Sequence, residues 1–180
     1  MSVIDPRCLA LEQLAPGTVI AIYSRAAGGK TMLARAITAN HLQQGGRAVI
    51  LTSEPMLHNA RHVEFADLDH IGVDGPERPG DPTLVVYDRS RELDDRDLEE
   101  IEIDRAAGRA VVITRARPMP GLRADINVIT GRHTRHLFET VFDVPAGEER
   151  TDLGRGQALL AASGDEPVVI TFQPGPGTRP

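Results

Sequence analysis

The feature that most constrains this chain is a junction near its start, where an apolar strand pattern passes through a loop of small residues directly into a helical one. Residues 17–23 (GTVIAIY) form a continuous apolar, β-branched run opened by Pro16-Gly17. Such a run reads as a strand buried on both faces, as in parallel sheets covered by helices. Residues 31–44 place Leu33, Ile37 and His41 on one stripe with Ala34 and Ala36 beside it, and Gly45-Gly46 stops the helix. Between them lies Ser24-Arg25-Ala26-Ala27-Gly28-Gly29-Lys30. Strand, tight loop and helix in that order commit the chain to an α/β architecture.

The rest of the sequence repeats the alternation. Residues 47–52, 83–87, 109–114 and 125–130 are further apolar strand patterns, 94–107 is an acidic helix, and 132–142 is a helix whose Leu137, Phe138, Val141 and Phe142 form one stripe. Residues 157–162 and 167–172 are two strands joined by Ser163-Gly164-Asp165-Glu166, a hairpin signal. Residues 55–82, rich in His, Asp, Gly and Pro, read as an irregular excursion with one short element at Val63-Glu64-Phe65. The expectation is a single domain over residues 1–173, a mainly parallel sheet sandwiched by helices with a C-terminal antiparallel hairpin, followed by a disordered tail at 174–180. A chain of 180 residues, 41% apolar, is long enough to bury one core.

Composition excludes several classes. No apolar run approaches the roughly 18 residues of a membrane span. With 26 acids against 20 bases the net charge of -6 argues against a broadly basic nucleic-acid coat, although a local basic patch is compatible with it. The single Cys8 cannot form an internal disulfide, and the first residues lack a basic then apolar leader, so a reducing, cytoplasmic setting is expected. The six histidines lack metal-ligand spacing and read as surface residues.

Of the 20 bases, 19 are arginine and the only lysine is Lys30. Its neighbours explain why a compact ammonium is kept there. A nucleoside triphosphate needs backbone N–H groups converging on its oxygens, and Gly28 and Gly29 let the chain curl tightly enough to supply them. Lys30 would reach the β and γ oxygens, Thr31 would ligate Mg2+, and the positive end of the helix would face the phosphates. The nucleotide-binding set is therefore Ser24, Arg25, Ala26, Ala27, Gly28, Gly29, Lys30 and Thr31. The pattern departs from G-x-x-x-x-G-K-[ST] only at its first position, where Ser24 stands for glycine. Asp88, ending the strand pattern at 83–87, is the second carboxylate expected to hold Mg2+. Hydrolysis of ATP also needs a base, and Glu54, just past the strand at 47–52, is the candidate; the competing reading is a solvated loop acid before Pro55.

With these residues placed, the chain resembles the additional-strand ATPases with a RecA-like P-loop core. PGTVIAIYSRAAGGKT and AVILTSEPM are similar to hexameric helicases of the DnaB type, as is VVITFQP near the C-terminus. Ile113-Thr-Arg-Ala-Arg117-Pro118, Gly121-Leu-Arg-Ala-Asp-Ile126 and Leu153-Gly-Arg-Gly-Gln-Ala-Leu159 instead resemble the FtsK/HerA translocases and related small viral genome-packaging ATPases. The compact spacing favours FtsK/HerA over about residues 16–173. That resemblance implies an ATP-driven motor that moves double-stranded DNA, placed in a host cytoplasm or virion if viral. Arg89 stands where that family has its catalytic glutamate and Ala116 where it has a glutamine sensor, with Thr114 as the replacement sensor. A nucleotide-binding regulatory subunit without turnover is the rival.

From Arg109 to His136 there are six arginines (109, 115, 117, 123, 132, 135) and one acid, whereas from Asp88 to Asp104 there are nine acids and three arginines. Such asymmetry suits a homo-oligomeric ring, a hexamer being one form, in which an arginine reaches the neighbour's γ-phosphate. Arg117 leads the candidates, ahead of Arg132, Arg135 and Arg155. The competing reading is solvated faces and internal pairs such as Arg135 with Glu139. No aromatic residues interleave with the bases, so contact with DNA is expected at phosphates only.

Overall fold

The computed structural model describes residues 13–25, 27–52, 63–65, 83–88, 92–145, 153–154 and 156–172. Its strands are β1 (Val19–Tyr23), β2 (Ala48–Thr52), β3 (Val63–Phe65), β4 (Leu84–Asp88), β5 (Ala110–Arg115), β6 (Ile126–Thr130), β7 (Gln157–Ala162) and β8 (Val168–Thr171). Its helices are α1 (Lys30–Gln43), α2 (Asp95–Ala106) and α3 (Arg135–Phe142). The strands form one sheet in the order β3-β2-β4-β5-β1-β6-β7-β8, with β3 through β6 parallel and β7 and β8 antiparallel. This is the expected mixed α/β fold, and Val63–Phe65 proves to be an edge strand beside β2.

The sheet is covered on both faces because its central strands are apolar on both. On one face α1 packs Leu33, Ala34 and Ile37 against Ile20 and Ile22 of β1, Ile50 of β2, Val86 of β4 and Val112 of β5. On the other, α2 covers Val85, Tyr87, Val111 and Ile113 with Ile101, and α3 covers Ala21, Tyr23, Ile129 and Leu159 with Leu137, Phe138 and Phe142. Phe138 and Phe142 meet edge-on at 5.2 Å between ring centres, a preferred aromatic geometry. Among the described residues no helix is long and apolar enough to cross a membrane.

Local signals fix the helix ends. Asp94 caps α2 reciprocally, accepting from Asp97 N at 3.0 Å while Asp94 N donates to the Asp97 carboxylate at 2.9 Å. For α3 the expected start at 132 is corrected to Arg135, because the Thr134 hydroxyl accepts from Leu137 N at 3.2 Å and ends the extended approach. The surface reading of the histidines also needs correction at two positions. His133 is buried, stacked on Phe138. His41 is partly buried, with Nε2 2.7 Å from Thr83 Oγ1, and burial pushes its pKa down while a backbone hydrogen bond at Arg47 opposes this.

A polar network ties α2 to the sheet beneath it. The Tyr87 hydroxyl donates to Asp104 at 2.8 Å, and Arg109 donates to the other Asp104 oxygen at 2.7 Å. Both Tyr87 and Asp104 are buried, so each member leaves a desolvated partner behind when removed. Asp104→Ala should therefore lower unfolding stability by about 2–3 kcal/mol, and Tyr87→Phe by only about 1 kcal/mol, in urea denaturation. Equal costs for the two variants would show that the carboxylate does not organise the network.

Candidate functional site

The parallel strands all run the same way, so the C-terminal ends of β2, β4, β5, β1 and β6 line one edge of the sheet. The loop between β1 and α1 leaves that edge at its centre. Its first residue stays paired, Ser24 N donating to Arg115 O at 3.0 Å, and the loop then closes through Gly28 N to Arg25 O at 3.1 Å. Ala27 adopts φ 58° and Gly29 φ 90°. The left-handed conformation is easy for glycine and strained for alanine, so Ala27 marks where the curl is tightest. Ala26, within this loop, lies outside the described residues.

Gly29 caps α1 without any side-chain acceptor, leaving the first-turn N–H groups of a 14-residue helix directed at the loop. Lys30, the first helical residue, folds back so that Nζ donates to Ser24 O at 2.9 Å and Arg25 O at 3.0 Å. Desolvation lowers the Lys30 pKa, and the Asp88 carboxylate pulls it back up. Asp88 ends β4, two strands from β1 and at the same edge of the sheet. Thr31 follows as a partly buried residue in the first turn.

Asp88 closes β4, and the Thr114 hydroxyl of β5 donates to its Oδ1. The contact follows from register: Tyr87 pairs with Ile113, so the next residues lie side by side. Thr114 is buried at 4% exposure, which restricts its hydroxyl to this carboxylate and the edge beyond it. Beside it on β4, Thr52 of β2 aligns with Asp88, so Glu54 follows two residues past that point; Glu54 itself, like Arg89, lies outside the described residues. On the opposite face Tyr23 is buried, and desolvation pushes its pKa up to about 12 against the pull of neighbouring Arg115.

On the other flank of the loop, the turn after β6 presses against it. A Cβ on Gly131 would stand 2.8 Å from Gly28 O, and Gly131 has φ +65°, so only glycine fits. Between this turn and the C-terminal hairpin is a pocket of about 460 Å3, lined by Arg25, Gly29, Met32, Thr130, Gln157 and Phe172 among others. Thr130 is 1% exposed and its Oγ1 has no hydrogen-bond partner. The sequence reading passed over Thr130 and Gly131; a Thr-Gly pair closing a buried strand was the available signal. Gln157 Oε1 accepts from Gly154 N at 2.8 Å, leaving the amide N–H2 for other acceptors.

The arginine candidates divide. Arg117 is exposed three residues past Thr114 on the same sheet edge, and Arg132 is exposed on the turn after β6. Arg135 forms the anticipated internal pair, Nε to Glu139 at 3.0 Å. Arg155 lies outside the described residues. Among the described residues no cluster of three or more His, Cys, Asp or Glu forms a ready cation cage.

No family model matches the chain, and no curated protein matches it. Solved structures do. The chain is similar to the genome-packaging NTPase B204 of Sulfolobus turreted icosahedral virus 2 in complex with ATP-gammaS, with TM-score 0.55 and 12% identity over 87% of this chain and 97% of that one. The same NTPase in complex with AMPPCP matches with TM-score 0.56 and 12% identity over 88% and 98%. The two chains share a fold across nearly their whole lengths.

Because Lys30 is the only lysine, protein labelled with 13C at lysine Cε reports this ammonium alone by NMR. Lys30 should titrate below the ordinary lysine value, and lower still in Asp88→Asn, since removing the carboxylate leaves desolvation unopposed. A rise in the Asp88→Asn variant would show that the two groups do not face each other.

Proposed function

We propose that this chain is the ATP-binding motor subunit of a DNA translocase of the FtsK/HerA class, of the kind that packages viral genomes. The observation that carries the reading is the convergence, at one sheet edge, of a tightly curled loop, an uncapped helix N-terminus and the sole lysine, with the Asp88–Thr114 pair across from them. That set supplies donors for phosphate and an anionic oxygen for a cation. The nucleotide-bound state of the B204 structures supports the same reading.

In this reading the β- and γ-phosphates lie in the loop and Lys30 leaves the Ser24 and Arg25 carbonyls for their oxygens. The nucleoside extends into the pocket between Met32, Thr130, Gln157 and Phe172. The Thr31 hydroxyl and the Asp88 carboxylate are hard oxygen donors at the sheet edge that carries the loop, so the residues fit Mg2+ with water completing its shell. Bound there, Mg2+ would neutralise charge on the phosphate oxygens. Thr114 orients Asp88. Glu54 takes a proton from water as the water oxygen attacks the γ-phosphorus and the bond to the β–γ bridging oxygen breaks. Lys30 and the loop N–H groups stabilise the charge that develops on the leaving ADP. Arg117 serves the neighbouring subunit in a homo-oligomeric ring around double-stranded DNA. Ala116 is exposed and carries no polar atom where a γ-phosphate sensor would stand, which favours the non-hydrolysing regulatory subunit as the second reading.

Lys30→Ala should abolish ATP binding in calorimetry while leaving the melting midpoint nearly unchanged, since Lys30 packs no core volume. Wild-type ATPase activity, measured with and without duplex DNA, should rise on adding DNA; tight ATP binding without turnover under either condition selects the regulatory reading.

Arg117→Ala should leave ATP affinity almost intact and depress hydrolysis. Mixed with Lys30→Ala protein it should partly recover, because some interfaces then pair a sound loop with a sound arginine. Demonstrably mixed oligomers without recovery would refute the shared site.

A further inference from the structure

Ser24 is fully buried at the end of β1, and its Oγ has no hydrogen-bond partner. The hydroxyl points into the loop: a Cβ built on Gly28, across the curl, would stand 1.5 Å from it. The loop therefore has room for one side chain between positions 24 and 28, and this sequence places it at 24, where the usual pattern has glycine. Its other donors converge on the same space. The Ser24 carbonyl holds Lys30 Nζ at 2.9 Å, and the α1 N-terminus, without a side-chain cap, opens on the same curl. A buried hydroxyl left unbonded is costly. A hydroxyl proton, an ammonium and a set of N–H groups around one space call for an anion.

We propose that Ser24 Oγ is a ligand of the bound phosphates, donating its proton to an oxygen of the β-phosphate that the loop encircles. The inference rests on the ATP reading above and adds to it a side-chain donor at the first loop position. Gly28 is the residue that makes room for it. Because the donor faces the phosphate and not the base, ATP, ADP and pyrophosphate gain from it alike.

The test is calorimetric binding of ATP, ADP and pyrophosphate to wild type, Ser24→Ala, Ser24→Gly and Lys30→Ala, with the ligand-free melting midpoint of each. A hydrogen bond to a charged oxygen predicts that both Ser24 variants bind all three ligands about tenfold or more weakly, with the Ser24→Ala midpoint close to wild type. Gly28→Ala should disturb the wild-type loop and be relieved in part by Ser24→Gly, which removes the Ser24 contacts and leaves Arg25 O at 3.0 Å from the new Cβ. Unchanged affinity in Ser24→Ala, where Lys30→Ala has lost binding, overturns the Ser24 assignment and leaves the ATP reading standing. So does a loss that follows a lowered midpoint in both Ser24 variants, which would make the serine a packing residue. Wild-type protein that binds none of the three ligands removes both.

Discussion

The site depends on β1 being held immobile from both sides. β5 and β6 flank it in parallel, and Val19, Ile20, Ala21 and Ile22 are completely buried. At its start, Val19 N donates to the Asp125 carboxylate at 2.8 Å and Asp125 N donates to Val19 O at 2.9 Å, while Arg105 donates to the other Asp125 oxygen at 3.0 Å. At its end the pairing runs one residue into the loop through Ser24 N. A loop leaving so fixed a strand inherits its position. That fixes the first-turn N–H groups of α1, uncapped by any side chain, relative to the sheet, while Lys30 Nζ rests on the Ser24 and Arg25 carbonyls.

The elements were legible for a reason specific to their burial. Strands covered on both faces have no polar side to show, so β1, β2, β4 and β5 read as apolar runs, and the hairpin β7–β8 carried its own turn residues. α3 was legible from its stripe, although its start at Arg135 required weighing the Thr134 cap against the basic residues before it. β3 showed as a short apolar piece, but its place at the sheet edge comes from pairing with β2, which no local pattern contains. The loop was legible because its chemistry is contiguous in sequence. The Thr114–Asp88 contact was not, since it arises from a register between β4 and β5, and neither was the burial of His133, which packs against a helix that begins two residues later.

Folding pairs several of the charges along the chain. Arg109 is taken up by Asp104, Arg105 by Asp125, Arg96 by Glu100 and Arg135 by Glu139. Of these pairs only Arg109–Asp104 sets a base of the basic stretch against an acid of the α2 region, so the contrast between the two stretches largely survives folding. Pairs such as Arg96–Glu100 and Arg135–Glu139 are helix-surface contacts worth a few tenths of a kcal/mol. Arg117 and Arg132 lie exposed, and Arg135 is held by the Glu139 carboxylate.

The loop also illustrates how a pattern tolerates a changed position. Glycine at the first position normally removes a side chain that would crowd the curl; here the serine is accommodated because Gly28 yields its own Cβ space, so the two positions are read together or not at all. Ala27 is a second concession, since a φ of 58° costs alanine roughly 1–2 kcal/mol relative to an unstrained backbone. That strain persists only because both ends of the loop are fixed, by β1 on one side and by the helix on the other, with the Gly131 turn pressed against Gly28 O. A less rigid frame would relax Ala27 and open the curl, scattering the donors. The strained alanine and the buried serine are thus consequences of the same rigidity that holds the loop's donors together.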